Sequence, residues 1–226
     1  MIAREGWTRI AIFALLAFGV QVFAGPIWAL PLWLLLLLVI QFFRDPEREI
    51  PQQPGAIVSP AHGRVVAIEN VVDPYVERRA LKISIFMNIF SVHSNRTPVD
   101  GVVVKKWYEK GQFLNASLDK ASELNERSAV HFRTKDGWDV TSVQIAGLVA
   151  RRILCYLKNG QEVERGERYG FIRFGPRVDL YLPEDTYVVA QLGRWVLSGT
   201  DISVFCRSLS ASYDNGEKNP QARTSR

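Results

Sequence analysis

The chain carries 3 histidines, and two of them lie in motifs that could move a proton. His93 sits in VHSNRTPVDG, with Asn95, Arg96 and Asp100 close behind it. An imidazole titrates near neutrality, so His93 is a candidate general base or carboxylate contact. A hydrogen-bonded turn histidine is the plainer alternative. His62, in SPAHG, could also serve as a base. His131, in AVHFRT, alternates with apolar neighbours and is expected on a strand surface. Arg96, Arg151, Arg152 and Arg173 could hold a phosphate or carboxylate, because a guanidinium makes two parallel contacts to such groups. A solvated basic face is the competing reading. Glu123, Glu126 and Arg127 are expected to pair on a helix surface.

Composition closes off several other chemistries. The 2 cysteines, Cys155 and Cys206, cannot form a disulfide scaffold. With 3 histidines and no CxxC pair, no standard structural zinc site can be assembled. No Met-Lys pair exists of the kind that lipoyl- or biotin-carrying modules present. The net charge of +5 is modest and dispersed, which gives no reason to invoke nucleic acid.

The elements that must hold these residues fall into two unlike regions. From Ile10 to Phe43 there is no Asp, Glu, Lys or Arg. One straight helix of that length would reach about 50 Å, against a bilayer core of about 30 Å. Gly25-Pro26 interrupts it, since proline removes a donor and clashes one turn back. The pattern predicts two short membrane helices, roughly 8–24 and 27–43, as a tight or re-entrant hairpin. Arg4 and Arg9 on one side, and Arg44 and Arg48 on the other, put both ends in the cytoplasm. Trp7, Trp28 and Trp33 read as interface anchors.

After the proline-rich linker DPEREIPQQP, short β-branched runs dominate. Strands are expected at 56–58, 64–72, 81–86, 101–108, 130–134, 138–145, 153–157, 169–174, 177–182 and 187–191. The best helix candidate is Lys120 to Glu126. No βαβ alternation is present, so the expected fold class is mainly β: a compact antiparallel β body behind a membrane helical hairpin. The corresponding domains are 1–44, 45–207 and a mobile polar tail at 208–226.

Five segments together resemble the short bacterial and archaeal type of phosphatidylserine decarboxylase. They are FFRDPERE (42–49), VSPAHGRVV (58–66), MNIFSVHSNRTPVDGVV (87–103), FLNASLDKASELNER (113–127) and the long run from Gln144 to Pro183. The resemblance implies a membrane protein of phosphatidylethanolamine synthesis whose pyruvoyl cofactor is made from the chain itself. In the family a Gly-Ser pair is cut, with a serine–histidine–aspartate set implied in the cut. The new pyruvoyl carbonyl then takes the substrate amine and acts as an electron sink.

Carried over position by position, the family histidine matches His93. The family aspartate falls at His62, the cleavage glycine at Gly175, and the cleavage serine at Pro176. Proline has neither hydroxyl nor N–H, so it can neither attack Gly175 nor become a pyruvoyl group. Of the 16 glycines only Gly199 precedes a hydroxyl or thiol residue, Thr200, and a turn glycine is the expected role there. The chain is therefore expected to keep the family's fold and its place on the cytoplasmic face of the inner membrane. Its expected partners are anionic phospholipid (phosphatidylserine), the membrane and a possible second copy. It is expected to form no pyruvoyl group. Arg96 and Arg173 are the candidate substrate contacts.

Overall fold

The computed structural model describes residues 1–111, 125–147, 153–172 and 177–206. Two apolar helices come first, α1 (Trp7–Ala24) and α2 (Pro26–Phe42), joined at Gly25 as the glycine-proline break requires. Trp33 Nε1 donates to Gln21 Oε1 across the pair at 2.8 Å. The segment Arg4–Ala24 (21 residues) is long and apolar enough to cross a membrane, whereas Pro26–Phe42 is shorter. The two ends of the hairpin are tied to each other by main-chain bonds, Ala3 N–H to Phe43 O and Asp45 N–H to Met1 O, both 2.8 Å.

The β body contains β1 (Ala56–Val58), β2 (Gly63–Asp73), β3 (Arg78–Phe86), β4 (Ser94–Arg96), β5 (Gly101–Glu109), β6 (Arg127–Thr134) and β7 (Asp139–Ile145). It continues with β8 (Ile153–Cys155), β9 (Glu162–Val163), β10 (Arg168–Ile172), β11 (Arg177–Leu182), β12 (Thr186–Val188), β13 (Trp195–Val196) and β14 (Ile202–Cys206). The long sheet runs β13-β2-β3-β11-β7-β6-β5-β9, and two three-stranded sheets run β1-β14-β12 and β4-β10-β8. Every pairing among the described residues is antiparallel, as expected for a body without βαβ units. Ile83, Ile85, Phe132, Tyr169, Val178 and Leu180 form the centre of the core.

Several expectations need correction. The helix expected over 120–126 falls mostly outside the described residues, and its last two positions are not helical. Glu126 is buried and accepts from the Tyr108 hydroxyl at 2.9 Å, while Arg127 lies on β6 and donates to Glu109 Oε2 on β5. These are therefore not surface pairs along one helix. His131 is not on the surface either, because five successive residues of β6 are buried, which takes both faces of the strand there. The expected strands 153–157, 169–174 and 187–191 contract to the bounds of β8, β10 and β12, with 173 and 174 outside the described residues. Strands β4, β9, β13 and β14 were not anticipated. The expected tail at 208–226 also lies outside the described residues.

Candidate functional site

The strand register brings His93 and His62 to one place. The turn before His93 is closed by Ser91 N–H to Asn88 O (3.0 Å) and by Phe90 N–H to Asn88 Oδ1 (2.9 Å). The N–H of Val92, the residue before His93, donates to His62 Nδ1 at 3.0 Å. A neutral His62 therefore carries its proton on Nε2. Gly63 follows His62 at the start of β2, where a β-carbon would lie only 2.2 Å from the Phe86 carbonyl oxygen. No residue with a side chain fits that approach, so glycine is what lets the His62 loop close onto β3.

The His93 ring is fully buried, and neither ring nitrogen has a hydrogen-bond partner among the described residues. The Phe42 ring, from the last turn of α2, stacks on it with centroids 4.1 Å apart. Phe171 lies 6.2 Å away, and Phe42, Phe43, Phe171 and Ala3 form a small apolar cluster over the site. Burial pushes His93 down to about 4, helped by the nearby charges of Arg44 and His62 and opposed by the main chain at Ser91. His62 is also lowered to about 4, by burial first and then by Arg48 and Arg44, with Asp201 opposing. Both imidazoles are thus neutral at pH 7.

The segment 173–176, which holds Arg173, Gly175 and Pro176, lies outside the described residues, but both its flanks are fixed. On one side Ile172 N–H donates to the His93 carbonyl at 3.2 Å. On the other, Arg177 pairs with Phe86, whose carbonyl abuts Gly63. Arg177 is itself anchored, with Nε on Asp179 Oδ1 at 2.6 Å and an Nη on Ser84 Oγ at 2.9 Å. One flank thus reaches His93 and the other reaches the neighbour of His62. Arg151 and Arg152 also lie outside the described residues.

Arg96 is committed elsewhere. Its guanidinium donates to Gly166 O (2.9 Å), Asp45 Oδ1 (3.2 Å) and Pro46 O (3.3 Å), clamping the linker onto the body. Arg168 reinforces the clamp with Glu5 Oε2 at 2.5 Å and Asp45 Oδ2 at 3.4 Å. Two arginines that sequence reasoning used only as membrane flanks prove closer to the chemistry. Arg44 donates to Phe90 O at 2.7 Å. The Arg48 Nε is buried without a hydrogen-bond partner among the described residues. Burial and the charges of Arg96 and Arg44 lower the Arg48 pKa, while Asp45 and Asp201 raise it. The signal that could have found both was their place in FFRDPERE, and nothing in that motif marked Phe42 as the ring over His93.

Over residues 35–203 the chain matches the family model described as phosphatidylserine decarboxylase. A relative from Aromatoleum aromaticum is 57% identical over 202 residues, covering 89% of this chain and 94% of that protein. Relatives from Burkholderia multivorans and Burkholderia cenocepacia are each 56% identical over the same span. All three bear the name phosphatidylserine decarboxylase proenzyme. The chain belongs to the phosphatidylserine decarboxylase family. The family's place in phospholipid biosynthesis comes with that membership, and so does the question of its pyruvoyl cofactor.

This chain's sequence contains no Gly-Ser pair. Gly175 is followed by Pro176, whose side chain carries no hydroxyl. The one Gly-hydroxyl pair, Gly199-Thr200, occupies a turn between β13 and β14. Gly199 has φ +76°, its N–H is bonded to Ser59 O at 2.8 Å, and a β-carbon there would meet Arg96 Cδ at 2.7 Å. That is a turn held by a glycine's conformational freedom.

Proposed function

We propose that this chain is an uncleaved, membrane-anchored member of the phosphatidylserine decarboxylase family that binds an anionic phospholipid headgroup without decarboxylating it. The observation that carries this reading is Pro176 in the place of the cleavage serine. Without a hydroxyl after Gly175, no ester forms and the carbonyl cofactor is never generated. The apolar segment Arg4–Ala24 supports anchoring. The arginines at 4, 9, 44 and 48 favour the cytoplasmic face of the inner membrane. The lowered His62 and His93 favour imidazoles that carry no charge of their own, and Arg48 and Arg173 are the guanidinium groups proposed to meet the headgroup.

The test is direct. On a denaturing gel and by intact mass, the purified chain is expected as one 25.6 kDa species. A cut after Gly175 would instead give pieces of about 20 and 6 kDa, in proportion to 175 and 51 of the 226 residues of the 25.6 kDa chain, and would overturn the reading. The double revertant Pro176→Ser with His62→Asp is expected to cleave; an intact revertant would place the site wrongly. The intact chain should prefer phosphatidylserine vesicles over phosphatidylcholine vesicles, and Arg48→Ala with Arg173→Ala should remove the preference.

A further inference from the structure

Two turns of the β body expose large apolar side chains beside His62. Ile89 and Phe90 are 46% and 59% exposed, and Leu192 and Trp195 are 67% and 50% exposed. Leaving such groups in water is unfavourable, and clustered exposure marks a surface that is covered in use.

The two turns are joined to each other and to the end of α2. Arg44, two residues past α2, donates to the Phe90 carbonyl at 2.7 Å. Two residues further on, Val92 N–H is bound to His62, and the rings of His62 and Trp195 meet nearly at right angles with centroids 6.0 Å apart. The second turn is held rigidly: Gly193 N–H to Val65 O (2.8 Å), Val65 N–H to Arg194 O (2.9 Å) and Arg64 Nε to Gly193 O (2.9 Å). Arg64 and Arg194 are both exposed. A tryptophan and aliphatic side chains set among arginines is the composition that suits the headgroup level of an anionic leaflet.

We propose that the turns around Ile89-Phe90 and Leu192-Trp195 dip into the interface of the same anionic bilayer that holds the hairpin, forming a second membrane contact on either side of His62. The proposal rests on the membrane-anchored reading above. The occupant is lipid because the patch is continuous with the end of the apolar hairpin through Arg44 and its charges complement an anionic leaflet. The consequence is a site that opens onto the headgroup layer, where a phospholipid is met without leaving its leaflet.

The test uses the full chain in vesicles of phosphatidylethanolamine and phosphatidylglycerol. An environment-sensitive fluorophore is attached to Ile89→Cys, to Leu192→Cys and, as an anchor control, to Leu34→Cys in α2. The unaltered chain, treated identically, supplies the background from Cys155 and Cys206. With phospholipids that carry a nitroxide near the headgroup end of the acyl chain, the labels at 89 and 192 are expected to shift to the blue and lose fluorescence. Loss at 34 with none at 89 and 192 would overturn the second contact and leave the anchor standing. No loss at any of the three would overturn both.

Discussion

His93 and His131 are both buried histidines, yet they are treated in opposite ways by their surroundings. His131 Nε2 lies 2.8 Å from Asp139 Oδ1, and the same oxygen takes Arg133 Nε at 2.9 Å. His93 has no such partner on either nitrogen among the described residues, and has an aromatic ring laid on its face. A buried polar group left unsatisfied costs about 1–3 kcal/mol. The partnered histidine is a structural member of the sheet. His93 instead owes its lowered pKa chiefly to burial, and its carbonyl takes the N–H of Ile172, the flank that leads into 173–176.

Substitutions can break or sharpen that contrast. The largest effect is expected from Phe42→Ala, which opens a cavity over His93 and should cost about 3–5 kcal/mol. It should also let the His93 pKa rise from about 4 toward its ordinary value, because burial is the main cause of the shift. Chemical unfolding and imidazole NMR titration read the two. An unmoved His93 would mean that Phe42 is not what keeps water from the ring.

Acid comes next. A histidine lowered from 6.5 to about 4 by folding binds its proton more readily in the unfolded chain between those values. Stability should be flat above pH 6.5, fall as pH drops toward 4, and level off below it. For His93 the loss is of order 3 kcal/mol, and His93→Leu should remove its share of the slope and leave that of His62, which is lowered over the same range. A slope unchanged in that variant would assign the proton uptake elsewhere.

Asp139→Ala is expected to cost about 1–2 kcal/mol by stripping His131 of its partner, with no change in the His93 titration. The smallest effect belongs to Arg133→Ala. Its side chain is 55% exposed, so its loss should leave the unfolding midpoint nearly unmoved. A larger shift would make the arginine, rather than the histidine, the group that Asp139 serves.

The longer strands were legible because a run of seven to eleven residues such as β2, β3 or β7 carries enough β-branched positions and bounding turns to be read. Strands β4, β9 and β13 are two or three residues long, too short for any period to register. The alternation around His131 misleads because it implies a wet face only where a strand has one, and five successive residues of β6 are buried on both faces. In the site, His93 and His62 stood out by motif. Phe42 did not, since one ring in a continuous apolar run gives no sign of turning inward to a histidine. Arg96 stood out by type, but its bonds to Asp45 and Pro46 join residues fifty positions apart, which one sequence does not display.

The strand pairing has a practical corollary for anyone looking for scission at Gly175. Among the described residues, all four strands beyond that point are interlaced with earlier ones or with each other: β11 lies between β3 and β7, β13 on β2, and β14 between β1 and β12. A severed polypeptide would remain one particle, its short piece threaded through the long one. Size-exclusion profiles, light scattering and crystal packing would all be blind to the break, and only unfolding the protein first would let the pieces part.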